Sequence, residues 1–290
     1  MSTGTASGAA RDDRSTAALT AVTVVASRVG LSAIQPRLLV AGADFVVALE
    51  PLPVVARVTS VQENHEGRIP PALQVALARH AAHRGGPVVA PWSGGVGPFD
   101  AGEFIVTLWE RAADQPVTPE SVGHALRDLH AAIVDFPGEL PSFDPRPAVR
   151  RIVADLPPSA HDTGAVLLAA CEVVELPDLP GQPLHGDAHF GNALGSTSGP
   201  LWTDLEYACF GPIEWDLASA AHQATVLGRR VPETWALLTA YGEDAVHRAK
   251  VLTDLVALHA AAQTVAAARY RPDVQPLAEQ RLHWVRHRLG

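Results

Sequence analysis

Residues 185–206 read HGDAHFGNALGSTSGPLWTDLE, a segment that sets two histidines, two aspartates, an asparagine and a glutamate among small residues, glycines and apolar strand formers. A metal site, a catalytic loop and a polar turn would each use such residues. His185, Asp187 and His189 alternate as H-x-D-x-H, which on an extended segment directs three side chains to one side, as metal ligands require. A hydrolytic metal centre would need a second compact His/Asp cluster downstream, and the sequence offers none. Taken singly, Asp187 reads as a turn residue, Asn192 as a left-handed turn residue and Asp204 as a strand-end cap. Taken together, their spacing asks for a chemistry that uses all three.

Phosphoryl transfer is such a chemistry, because it needs a carboxylate beside the attacking hydroxyl and oxygen ligands for Mg²⁺. Asp187 and Asn192 stand five residues apart, as D-x-x-x-x-N. A short hairpin with STSG as its turn then carries the chain to Asp204, at the end of PLWTD, where a second metal ligand belongs.

Working outward, the upstream chain is strand-rich. FVVALEPLPVVARV holds two β-branched runs around a proline turn, predicting a hairpin whose second strand carries Arg57. PPALQVALARHAAHRGG opens on prolines, places Leu73, Ala76, Leu77 and Ala81 on one helical face and stops at a glycine pair. GEFIVTLWERA is a further strand. Residues 18–109 therefore read as a small lobe of sheet plus one helix, behind a Ser/Thr/Gly/Ala-rich tail at residues 1–17 that has no apolar periodicity. From residue 110 the pattern turns helical. TPESVGHALRDLHAAIVDF has Thr118 as N-cap, Pro119 in the first turn and Val122, Ala125, Leu126, Leu129 and Ile133 at helical spacing. Beyond Trp215 nearly every segment is helical, so residues 110–290 form a second, larger lobe.

Composition narrows the function classes. Of 290 residues, 47% are apolar, which places the chain among globular proteins. No uninterrupted apolar run reaches the roughly 18 residues of a membrane helix, and the first residues lack the basic and apolar stretches of a signal peptide. A cytoplasmic protein with no membrane partner is expected, with Cys171 and Cys209 as buried small hydrophobes rather than a disulfide. The net charge of −9 argues against a nucleic-acid partner and accommodates a cationic or polar small molecule. The sole lysine is Lys250, so no reaction can draw on a lysine ahead of residue 185.

LHGDAHFGNAL followed by WTDLEYACFGPIEWDLA resembles the catalytic segments of the aminoglycoside phosphotransferase and choline kinase-like family. An H-G-D-x-H-x-x-N loop, a D-x-E strand end and a G-P-x-E-W-D-L-A helix start occur in that order. The likeness in segment order covers residues 20–290. It implies an α+β, two-lobed protein kinase-like fold and transfer of the γ-phosphate of ATP or GTP to a hydroxyl of an amino sugar, aminoglycoside or similar polar alcohol. By that resemblance Asp187 orients or deprotonates the acceptor hydroxyl, with His185 and His189 beside it, and Asn192 and Asp204 hold Mg²⁺. His185 and Asp216 would brace the loop, Glu206 would assist the metal or make a solvated contact, and the hinge-like VTLWERA would bring Trp109 and Glu110 to the nucleotide.

Two departures stand out. Kinase-like folds usually place a lysine on strand three, paired with a helix glutamate, whereas this chain has Arg57 and, on the following helix, Gln74. A guanidinium is a broad fork and not a point charge. Gln74 is expected to orient Arg57, with Glu63 or Glu66 as alternative carboxylate partners. No G-x-G-x-x-G precedes the hairpin, and VAGADF supplies only Gly42 for a phosphate-covering turn. These gaps keep open a nucleotide- or ligand-binding protein without turnover. The sequence assigns no oligomeric state.

Overall fold

The computed structural model describes residues 4–42, 44–61, 67–95, 97–113 and 115–290, with side chains from Asp13 onward. Helix α1 (Gly4–Arg28) comes first and covers one face of a five-stranded sheet. The strands are β1 (Gln35–Ala41), β2 (Phe45–Glu50), β3 (Val54–Ser60), β4 (Phe99–Ala101) and β5 (Phe104–Glu110), all antiparallel in the order β1-β2-β3-β5-β4. Period-two alternation decides their orientation: Val54, Ala56 and Val58 of β3 are buried against Val22 and Val25 of α1. Arg57, between them, therefore points to the opposite face, in register with Val46 on one side and Thr107 on the other.

Helix α1 corrects the reading of residues 1–17 as a tail. Its buried face, Ala18, Ala21, Val22, Val25 and Ala26, has helical spacing but begins only where that stretch ends. Helix α1 takes in residues 4–17 ahead of that face, where the sequence shows no apolar periodicity.

Helix α2 (Pro71–His83) follows the sheet's first three strands and starts at the expected prolines. Its buried face is Gln74, Val75, Leu77, Ala78 and Ala81, with Ala76 exposed, so the helix is rotated from the predicted face and Gln74 is turned inward. The face packs on the second lobe, where Leu77 and Ala81 share a core with Leu126, Leu129 and Trp202.

The second lobe runs through α3 (Pro119–Ile133), α4 (Arg146–Ala154), α5 (His161–Val173), β6 (Gln182–Leu184), β7 (Ala193–Ser196), β8 (Gly199–Trp202) and β9 (Cys209–Gly211) to five helices. These are α6 (Glu214–Thr225), α7 (Val231–Tyr241), α8 (Ala245–Ala249), α9 (Thr253–Ala268) and α10 (Gln275–Leu289). Thr118 and Ser121 exchange backbone-to-hydroxyl bonds of 3.2 Å at the start of α3, closing a capping box. Strands β7 and β8 form the expected hairpin across residues 196–199. Strand β6 pairs with β9, so the segment between them is a loop closed at its base.

The stretch from Ala245 to Ala268 is long and apolar enough to cross a membrane by length and composition, which an uninterrupted-run criterion misses because Lys250 and Asp254 interrupt it. Half of it is buried inside the protein, and Leu255, Leu258 and Ala262 join Trp215, Leu167 and Val285 in one core. Both cysteines are buried and unpaired, Cys171 on α5 and Cys209 on β9.

Candidate active site

The loop between β6 and β7 is anchored from below. Asp216, in the first turn of α6 and wholly buried, accepts the backbone N–H of His185 and of Gly186, each at 2.8 Å, and a third bond of 2.8 Å from His130 Nε2. Burial pushes the Asp216 carboxyl up, but the His130 bond and the other donors outweigh it and hold the group below its usual value. Trp215 Nε1 donates to the Gly186 carbonyl at 2.9 Å. Gly186 itself has φ +86°, and a Cβ there would lie 1.7 Å from the Tyr207 carbonyl oxygen, so no other residue fits.

His185 is fully buried. Its Nε2 faces the Thr203 carbonyl at 2.9 Å and must carry the proton there, which leaves Nδ1 to accept the Asp187 N–H at 3.3 Å. The expectation that His185 stands with the catalytic groups is therefore corrected: it has no access to a reacting atom and positions Asp187 from behind.

Asp187 is the exposed product of this scaffold, its side chain 42% accessible. Asn192 Nδ2 donates to the Asp187 carbonyl at 3.0 Å and to its Oδ2 at 3.3 Å, so catalytic loop and hairpin are fastened to each other. His189 is partly exposed beside it: Nδ1 accepts from Gly191 N at 3.0 Å, and Nε2 lies 3.5 Å from Asp187 Oδ2. His189 is thus available to a substrate.

Asp204 follows β8 with φ 66° and ψ 53°, a left-handed conformation that non-glycine residues rarely adopt. It meets Arg57: Nη1 contacts Asp204 Oδ1 at 2.6 Å, Nε bonds Asp44 Oδ2 at 2.7 Å, and Nη2 contacts Glu206 Oε2. Arg68 closes the ring, with Nη2 2.9 Å from Glu206 Oε1 and Nη1 3.3 Å from Asp44 Oδ1. Three carboxylates thus surround two guanidinium groups. Burial works to lower the Arg57 pKa, but the three carboxylates prevail and raise it, so it is charged throughout. Asp204 is pushed up by burial and more strongly down by Arg57, and lies below its usual value. Burial first, and Asp204 second, push Glu206 up to about 8, against the pull of both arginines.

Gln74 does not orient Arg57. Its Nε2 donates to the Ile69 carbonyl at 2.9 Å, inside the core. Glu63 and Glu66 lie outside the described residues. Asp44 and Arg68 are the members that sequence reasoning missed: Asp44 sits in the VAGADF turn, read only for its glycine, and Arg68 precedes α2 in a segment without a pattern of its own. Trp109 is half-buried and donates from Nε1 to Thr107 Oγ1 at 2.8 Å, while exposed Glu110 ties the strand end to Ala90 through its N–H at 2.9 Å.

No group of three His, Cys, Asp or Glu side chains among the described residues could hold a metal by itself. That disposes of the H-x-D-x-H zinc reading, since His185 is turned inward. Asp204, now held by Arg57, and Asn192, tied through Nδ2 to Asp187, carry oxygen donors of the kind a hard cation takes together with phosphate and water.

Residues 45–252 match the phosphotransferase enzyme family. No curated protein is significantly similar in sequence. Among solved structures, choline kinase LicA from Streptococcus pneumoniae is similar, with a TM-score of 0.62 at 14% identity over 90% of this chain and 98% of that one. Amicoumacin kinase hAmiN, solved with AMP-PNP, Ca²⁺ and its antibiotic, gives 0.64 at 11% identity over 87% and 88% of the two chains. Spectinomycin phosphotransferase with ADP and spectinomycin gives 0.57 at 15% identity over 89% and 90%. At these identities the likeness establishes the two-lobed kinase-like fold.

Proposed function

This chain belongs to the phosphotransferase enzyme family, and on that premise we propose that it transfers the γ-phosphate of ATP to a hydroxyl of a small polar molecule in the cytoplasm. The nucleotide occupies the cleft between residues 18–109 and 110–290, against Arg57, Trp109 and Glu110. The observation that carries the reading is Asp187: a carboxylate exposed at the floor of a cavity, fixed by Asn192 and His185 on a loop that a buried aspartate holds in place.

Asp187 accepts or orients the acceptor's hydroxyl proton as that oxygen bonds to the γ-phosphorus and the bond to the β-phosphate oxygen breaks, releasing ADP. His189 steers the acceptor beside it. Asn192 and Asp204 would hold Mg²⁺, which, when bound, neutralises phosphate charge. Arg57 must leave at least part of its carboxylate cluster to reach phosphate, and its fork can bridge two oxygens when it does. Adenine nucleotides in the complexes of hAmiN and spectinomycin phosphotransferase support ATP over GTP. Amino sugars and aminoglycosides are among the polar alcohols such an enzyme takes.

The test is transfer of labelled γ-phosphate from ATP, with GTP in parallel, to a panel of amino sugars, aminoglycosides, choline-like alcohols, hydroxy acids and polyols at varied Mg²⁺. A labelled ester that forms only with metal, and not in Asp187→Ala, supports the reading. Nucleotide binding without an ester from any acceptor would favour a binding protein, the alternative that the inward turn of Gln74 sustains.

A further inference from the structure

Asp187 lines a cavity of about 290 Å³, bounded by the catalytic loop, Tyr207, α6, α9 and α10. That size is at the small end for ligand pockets, which run from roughly 300 Å³ upward. Its charge is unlike that of the whole chain. Asp187 is the only carboxylate among its lining residues, whereas Arg281 from α10, His222 from α6 and His259 from α9 all face it.

Arg281 is a buried guanidinium whose hydrogen-bond partners are neutral. Nη1 bonds the Ala260 carbonyl at 3.2 Å and contacts Thr264 Oγ1, and Nε is buried without a hydrogen-bond partner. Among the described residues no carboxylate pairs with it. Burial pulls its pKa below the usual arginine value, against the opposing pull of the Asp187 carboxylate. His222 is only 6% exposed, and neither of its ring nitrogens has a partner. Burial depresses it to about 3, and neighbouring positive charge adds to the effect, so it is neutral with one donor and one acceptor unmet. Leaving such a group unsatisfied costs stability, and a buried charge without a bonded counter-ion costs more. A bound ligand that supplies both partners recovers those costs.

We propose that this cavity is the acceptor site for a small hydroxylated carboxylic acid, its carboxylate held by Arg281, its polar groups meeting His222, and its hydroxyl placed at Asp187. The proposal rests on the phosphotransferase reading for the role of that hydroxyl, and narrows it. A polycationic aminocyclitol would bring like charge against Arg281 with a single carboxylate to receive it. The negative balance of the chain lies outside this cavity, where Asp187 is the one carboxylate in the lining.

The full chain with AMP-PNP and Mg²⁺ is titrated calorimetrically with gluconate, glycerate and 4-hydroxybutyrate, with the matching amides of each, and with 2-deoxystreptamine. At least one acid should bind tenfold or more tighter than its amide, which keeps every hydroxyl and loses only the charge. In Arg281→Gln that preference should fall to within about twofold, and Arg281→Lys should restore part of it. Equal binding of acid and amide in every pair, tighter binding of 2-deoxystreptamine, or binding by no acid would overturn the proposal. If Arg281→Gln does not fold, the wild-type acid-to-amide ratio decides alone. ADP release is followed in parallel mixtures with Mg-ATP in place of AMP-PNP: acid binding without turnover would sink the transferase reading and leave the acid site standing, whereas turnover of 2-deoxystreptamine alone would do the reverse.

Discussion

Two clusters of charge flank Asp187, and they are built in opposite senses. Between the lobes, Arg57 and Arg68 are crowded by Asp44, Asp204 and Glu206. On the other side, Arg281 and two neutral histidines share a cavity with no carboxylate but Asp187. The first cluster is satisfied within the protein, each guanidinium meeting a carboxylate, so a ligand entering it must displace a pair. The second has unmet donors and is completed only by something from outside. The comparison separates a region whose ion pairs contribute to folding from one whose unpaired groups are kept for binding.

The largest expected effect lies at the one carboxylate of the second cluster. Asp187→Ala should lower kcat by about 10²–10⁴-fold, the usual contribution of a positioned acid or base, while the melting temperature barely moves, because the side chain is half exposed. A drop in melting temperature as large as the loss of activity would mark Asp187 as a structural aspartate. Next comes Arg57→Ala, which leaves Asp204 without its arginine and Asp44 and Glu206 with Arg68 alone, and should destabilise the protein by about 3–5 kcal/mol in denaturant unfolding, as when a buried pair loses one member. Adding Glu206→Gln to that variant should recover part of the loss, since the removed charge no longer needs a partner. An additive double variant would show that the cluster is not coupled.

The acceptor side responds to acid. His222, whose folded pKa is depressed to about 3, takes up its proton on unfolding at any pH between there and the unfolded value near 6.5. The unfolded state binds more protons in that window, so stability rises with pH across it and is lost as pH falls, by up to about 1.4 kcal/mol per pH unit. Urea unfolding of the parent and of His222→Gln at pH 7.5, 6 and 5 should show the variant losing less on acidification. Identical slopes would mean that His222 is solvated or already paired. The smallest effect is that of Gln74→Ala: about 1 kcal/mol of stability for the lost bond to Ile69, with unchanged affinity for Mg-ATP. A selective loss of nucleotide binding would return Gln74 to the phosphate site.

The contrast between the clusters also separates what was legible in the chain from what was not. Asp187, Asn192 and Asp204 announce themselves through spacing, because a loop and a hairpin of fixed length constrain where they can point. Arg57 is legible through strand alternation, which puts it opposite the apolar face of β3. Gln74 misleads, because α2 turns its face toward the second lobe and the helical period alone does not fix the rotation. The first helix escapes notice because its buried stripe starts at Ala18, behind residues with no pattern.

By itself the sequence determined the β2–β3 and β7–β8 hairpins, the starts of α2 and α3, the two-lobed architecture and the loop that carries the carboxylate, since these depend on local periodicity, capping and turn chemistry. Tertiary structure alone decided the partners. Asp44 and Arg68 join Arg57 from segments with no signature, His185 faces inward because Asp216 and Thr203 claim its neighbourhood, and α6, α9 and α10 bring His222, His259 and Arg281 to one cavity from positions nearly sixty residues apart. Charge acts through space over a few ångströms, and distance along the chain carries no record of it.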